Sequence, residues 1–231
     1  MKPFVGIIEW PYSDKDGDMI YEVTNQVVEK VAQSGGIPIG IFPTQVQDFQ
    51  NKRLNEIPEL SVFEKIDLNQ TLNLCGAIIK PGATKVYGFE QYIYGYALEK
   101  NIPYFGICAG MQLMAKYNDT SITNVRNEDN GVIHHSKEQY IHSLKILRDT
   151  LLYDILREDE IMVNSRHNLH ISHAGCNSVC AYSEDGLIEA IENKDKTFHL
   201  GVQWHPELLD DINSTKIFDR LIEEAKVYSK K

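Results

Sequence analysis

Ile102-Pro103-Tyr104-Phe105-Gly106-Ile107-Cys108-Ala109-Gly110-Met111 is a short apolar run that breaks into a glycine-flanked cysteine, and its reading decides how the chain folds. Ile102 to Ile107 has the length and apolar continuity of a strand buried on both faces. A helix is expected from Met111 to Tyr117, so Cys108 falls at a strand-to-helix junction. Gly106-Ile107-Cys108-Ala109-Gly110 has the form G-x-C-x-G, the cysteine counterpart of the G-x-S-x-G nucleophile elbow. Glycines on either side permit a backbone approach that a Cβ would obstruct. A sulfur held there meets the positive end of a helix, which favours the thiolate.

Outward from that junction, strands and helices alternate. Phe4 to Ile8 reads as the first strand. Ile20 to Ser34 reads as a helix through Val23, Val27, Val28 and Val31, ending at Gly35-Gly36. Ile37 to Phe42 and Leu74 to Ile79 read as strands, with a short helix near Leu60 to Ile66 between them. Tyr87 to Lys100 is helical. Such alternation implies parallel pairing and a sheet covered on both faces. Beyond Tyr117 the pattern changes to strands separated by loops: Tyr140 to Leu147, Ile161 to Ser165, Ser178 to Tyr182, Leu187 to Glu192 and His199 to Trp204, before a closing helix from Ser214 to Val227. The expected fold is a single α/β domain over residues 1–231, a three-layer sandwich around a mostly parallel sheet with antiparallel additions in its C-terminal half. Polar Asn118 to Ser136 is expected to be a mobile loop.

Composition narrows the partners. Of 231 residues, 42% are hydrophobic and 24% charged, and the net charge of −10 argues against nucleic acid or an anionic membrane as the main ligand. No window approaches the roughly 20 apolar residues of a membrane span, and no leader pattern opens the chain. Cys75, Cys108, Cys176 and Cys180 lack the density of a disulfide scaffold. A soluble cytoplasmic protein with a small-molecule ligand is expected.

A second signal lies at Gly201-Val202-Gln203-Trp204-His205-Pro206-Glu207, where an apolar strand ends in His-Pro-Glu. A histidine at the carboxyl end of a strand sits on the edge where α/β sheets build their sites. Glu207 is close enough to hold one imidazole nitrogen while the other faces a thiol. A third is Lys80-Pro81-Gly82-Ala83, a strand-terminating turn whose N–H groups at Gly82 and Ala83, with that of Ala109, suit an oxyanion. His167, His170 and His173 recur every third residue without a helical pattern or a partnering carboxylate cluster, so no metal site is expected. His134-His135 is read as solvated loop, Cys176 and Cys180 as packing residues, and Tyr87, Tyr92, Tyr94 and Tyr96 as a half-buried helix surface.

Together these segments resemble the class I glutamine amidotransferase-like superfamily, and within it the γ-glutamyl-γ-aminobutyrate hydrolase group. The likeness spans nearly the whole chain and is anchored by Gly106 to Gln112, Val163 to His167, Asp185 to Glu192 and Gly201 to Glu207. It implies a triad of Cys108, His205 and Glu207, with Gln112 holding the glutamyl moiety and Asn164, Ser165 and His167 lining the pocket. It further implies hydrolysis of a γ-glutamyl amide through a glutamyl thioester, without a cofactor. The rival within the superfamily is a glutaminase subunit that supplies ammonia to a synthase partner; a homodimer is compatible with either. Two features depart from the hydrolase pattern. Ala109 and Ala83 replace an arginine and a glycine, and Asn168-Leu169 replaces His-Gln.

Overall fold

The computed structural model describes residues 1–45, 57–117, 120–125 and 131–230. Among them, nine strands form one sheet in the order β4-β1-β5-β6-β13-β12-β11-β8-β9. In chain order these are β1 (Phe4–Ile8), β4 (Ile37–Ile41), β5 (Ala77–Lys80), β6 (Tyr104–Ile107), β8 (His142–Ile146), β9 (Glu160–Val163), β11 (Ser178–Ser183), β12 (Ile188–Glu192) and β13 (His199–Val202). Pairing is parallel from β4 through β1, β5 and β6 to β13. It is antiparallel from β13 through β12, β11 and β8 to β9. The expected α/β class and its antiparallel extension therefore hold, with β13 as the hinge strand between the two regimes.

Period-two alternation sends successive side chains to opposite faces. Val5, Ile7, Ala77, Ile79, Phe105 and Ile107 join one buried cluster with α1 (Asn25–Gln33), α5 (Leu151–Leu156) and α6 (Ile212–Tyr228). Ile8, Ile78 and Tyr104 join the other, under α2 (Val62–Leu72), α3 (Gly88–Lys100) and α4 (Ala109–Lys116). Three layers result. Tyr94 of α3 is fully buried against Tyr104, with ring centroids 4.8 Å apart, so the tyrosine helix turns one of its rings inward, whereas Tyr92 and Tyr96 stay partly exposed.

Two expectations need correction. The helix read from Ile20 begins only at Asn25. Met19–Glu22 (β3) instead pairs antiparallel with Trp10–Ser13 (β2) as a hairpin. Ile20 and Tyr21 are exposed on this ribbon, and the helical spacing read from Val23, Val27, Val28 and Val31 belongs to a helix that starts only at Asn25. The stretch read as a mobile loop lies partly outside the described residues, and elsewhere contains Ile122–Asn124 (β7), paired with Leu169–Ile171 (β10).

Candidate active site

Cys108 sits directly after β6 at φ 52 and ψ −103, outside the regions open to ordinary L-residues. Its N–H donates to the Val202 carbonyl at 2.7 Å, which carries the ladder one residue beyond the strand. Close packing explains the flanking glycines. A Cβ on Gly106 would lie 2.6 Å from the carbonyl carbon of Gly110, and one on Gly110 would collide with the Lys80 carbonyl oxygen. Only bare backbone lets the elbow close against the end of β5.

The end of β5 is itself anchored from below. Lys80 and Glu90 are fully buried and paired at 3.0 Å. Lys80 Nζ also donates to the Pro81 carbonyl at 3.1 Å, and Glu90 accepts from the Tyr87 N–H at 2.6 Å. This pair fixes the Pro81-Gly82 turn to the start of α3. Gly82 then lies against His205 and Cys108, where a Cβ would stand 2.7 Å from His205 Cε1 and 3.6 Å from Cys108 Cβ.

His205 follows β13, the strand beside β6. Its Nδ1 lies 2.7 Å from Glu207 Oε1, and with Cys108 it lines the same cavity. Burial works against a charged ring, but the Glu207 carboxylate and the Cys108 side chain more than offset it, pushing His205 up to about 10. Asn164, just after β9, holds the backbone of His205 from both sides: its Nδ2 donates to the His205 carbonyl at 2.7 Å, and its Oδ1 accepts the His205 N–H at 2.8 Å. Gln203 Nε2 reaches Cys108 Sγ at 3.5 Å. Sequence reasoning quoted Gln203 within its motif but gave it no role.

A cavity of about 340 Å3 opens over Cys108 and His205. Gly82, Ala83 and Glu207 line it, with Trp10 and Glu22 from the hairpin and Arg166 from the segment after β9. The hairpin was missed as a wall because it was read partly as helix; the signal available was Trp10, placed just past the carboxyl end of the first strand. Of the residues expected to line the pocket, Gln112, Asn164, Ser165 and His167 are all buried, and none of them lines this cavity. Gln112 Nε2 donates to the Leu169 carbonyl and to Gln203 Oε1, Ser165 Oγ donates to the His134 carbonyl, and the His167 ring faces Glu189. Asn164 supports the histidine, and Arg166, between the named positions, faces the cavity instead.

The model of the family described as Peptidase C26 matches residues 3–207. The chain belongs to the Peptidase C26 family. It is thus a hydrolase-family chain of the glutamine amidotransferase-like kind. It is 32% identical over 224 residues to Protein NtpR of Enterococcus hirae, covering 90% of this chain and 91% of that one. It is 34% identical over 232 residues to the "Putative glutamine amidotransferase-like protein YvdE" of Lactococcus lactis, covering 95% and 96%. Its fold matches the glutaminase domain of Trypanosoma brucei CTPS, solved with bound acivicin, at a TM-score of 0.67 and 16% identity over 98% of this chain and 94% of that one. Among the described residues, no helix of this Peptidase C26 member is long and apolar enough to cross a membrane.

Proposed function

We propose that this Peptidase C26 member is a cysteine hydrolase that cleaves the γ-amide of a γ-glutamyl compound. The observation that carries the reading is the alignment of Glu207, His205 and Cys108 at the strained elbow, with the Gly82 turn packed against both reacting side chains. The Cys108 thiolate attacks the amide carbon, and the N–H groups of Ala109 and of the Gly82-Ala83 turn receive the oxyanion. His205 gives its proton to the departing nitrogen as the C–N bond breaks, leaving a glutamyl thioester. The neutral ring then takes a proton from water, whose oxygen displaces the sulfur and releases glutamate. Glu207 orients the ring in both steps.

Substrate recognition falls to the cavity walls. Arg166 suits the α-carboxylate of the glutamyl group and Glu22 its ammonium, while Trp10 offers an apolar face to the leaving amine. A cavity extending under the hairpin favours a substrate larger than glutamine. The test is glutamate release from a panel of γ-glutamyl amides beside glutamine. A γ-glutamyl amine should exceed glutamine in kcat/KM, and Arg166→Ala should raise KM. Preference for glutamine, with ammonia as product, would turn the reading to the glutaminase of a synthase partner.

A further inference from the structure

Glu189 of β12 is completely buried, and three histidines converge on it from separate parts of the chain. His167 Nε2 lies 3.4 Å from Glu189 Oε1, His134 Nδ1 lies 3.5 Å from it, and His142 Nε2 lies 4.0 Å from it. The three rings are at most 3% exposed. The histidine expected to be solvated, His134, is thus a core residue, because its partners are more than fifty positions away in sequence. Of the regular trio 167, 170 and 173, only His167 joins this cluster; His170 pairs with Thr123, and His173 faces Thr120.

The outer hydrogen bonds of the three rings determine what faces inward. His134 Nε2 is 2.9 Å from Asp185 Oδ2, His167 Nδ1 is 3.0 Å from the Leu169 carbonyl, and His142 Nδ1 is 3.3 Å from the Ser143 carbonyl. Each of those partners only accepts, so each outer nitrogen carries the hydrogen. In the neutral rings the inner nitrogens are then lone pairs, aimed at a carboxylate that also only accepts. His134 Nδ1, His142 Nε2, His167 Nε2 and both oxygens of Glu189 are buried without a hydrogen-bond partner among the described residues. Four acceptors facing one another in a dry interior repel unless something positive lies between them. A proton on His134 Nδ1 would face Glu189 Oε1 across an N···O distance of 3.5 Å, too long for a good hydrogen bond, and would leave two lone pairs still opposed.

We propose that His134, His142, His167 and Glu189 are the four ligands of a closed site for a divalent cation of the zinc type. Zinc bonds to imidazole nitrogen and carboxylate oxygen of about 2.0–2.1 Å give a tetrahedron whose ligand-to-ligand edges are about 3.3–3.4 Å. The Glu189 edges to His167 and His134 already match, whereas His134, His142 and Glu189 spread their ligand atoms over as much as 4.8 Å, so the histidines have to draw together by roughly an ångström or more on binding. Three imidazoles and one carboxylate suit zinc better than a harder cation. The Asp185–His134 pair and the two backbone carbonyls reproduce the outer-sphere support that ligating histidines receive. Charge also balances, since two carboxylates, Glu189 and Asp185, face one dication. With four protein ligands and no open position the metal is structural. It ties the segments around His134 and His167 to β8 and β12, and so steadies Asn164, three residues before His167, where it grips the base.

The test begins with protein purified without metal-affinity chromatography and stripped with a chelator. Zinc alone should bind at about one per chain and, at a hundredfold excess over its dissociation constant, raise Tm by about 5–10 °C. Cys108→Ser and His170→Asn should keep this response, and Glu189→Gln and His142→Ala should lose it. Should the last two fail to fold, cobalt substituted into the wild type decides: a tetrahedral d–d spectrum without a thiolate-to-cobalt charge-transfer band is expected. Zinc that produces no Tm shift, or that depends on Cys108, would overturn the site.

Discussion

The two halves of the sheet hold their share of the active site by different means. On the parallel side, Cys108 is placed by main chain against main chain: the elbow closes on β5 through Gly106 and Gly110, and the buried Lys80–Glu90 pair fixes the turn beneath it. On the antiparallel side, His205 is placed by side chains, with Asn164 on its backbone and Glu207 on its ring. The proposed nucleophile is thus secured by packing that belongs to the fold, whereas the proposed base depends on a few polar groups. Damage to the first should register in stability and damage to the second in turnover.

The largest effect should come where the halves meet. Cys108→Ser should lower kcat by about 10^6-fold while leaving the thermal transition in place, and residual turnover above a hundredth of wild type would remove Cys108 from the mechanism. Lys80→Met leaves Glu90 as an unpaired buried carboxylate and should cost about 3–5 kcal/mol, measured by urea unfolding. A loss below 1 kcal/mol would mean that the turn is held by something else, and the contrast between the halves would fail. Asn164→Ala should act in the opposite sense, lowering kcat by about 10–100-fold through displacement of the base, with the fold largely retained. An unchanged kcat would show that Glu207 alone suffices.

The smallest effect is a pH dependence. His205 is raised in the folded protein to about 10 from an ordinary value of 6.5. Its contribution to stability is therefore fully present below about pH 6.5 and lost as pH rises through about 10. Wild-type Tm should fall across that window more steeply than that of His205→Asn, and parallel curves would show that the ring is not held as an imidazolium.

What the sequence disclosed follows the same division. Strand β6, its glycines and the helix after it are local signals, readable from ten residues. The His-Pro-Glu segment was equally legible, because histidine and carboxylate are two positions apart. The hairpin was not. Ile20 and Val23 share a helical spacing with Val27 and Val31, and only pairing with Trp10–Ser13 shows that the first turn of that pattern is strand. His134 was unreadable because Asp185 and Glu189, which make it a core residue, lie more than fifty positions away, one in the turn before β12 and one on β12 itself. The expected pocket residues were assigned by likeness, and their side chains turn to hold backbone, neighbouring amides and Glu189, while Arg166, which carried no expected role, faces the cavity.

Strands β6 and β13 run side by side with Ile107 opposite Val202, and the chain reaches Cys108 one residue and His205 three residues beyond that register. Main-chain pairing of adjacent strands, about 4.8 Å apart, thus brings the two chain ends side by side, and Asn164 and Glu207 then set the ring. Part of the cavity wall, by contrast, comes from a two-stranded ribbon outside the main sheet and from Arg166. Such a division makes the scaffold evolvable: the ribbon and Arg166 can be exchanged to admit a new amine while the bond-breaking geometry is inherited intact from the sheet.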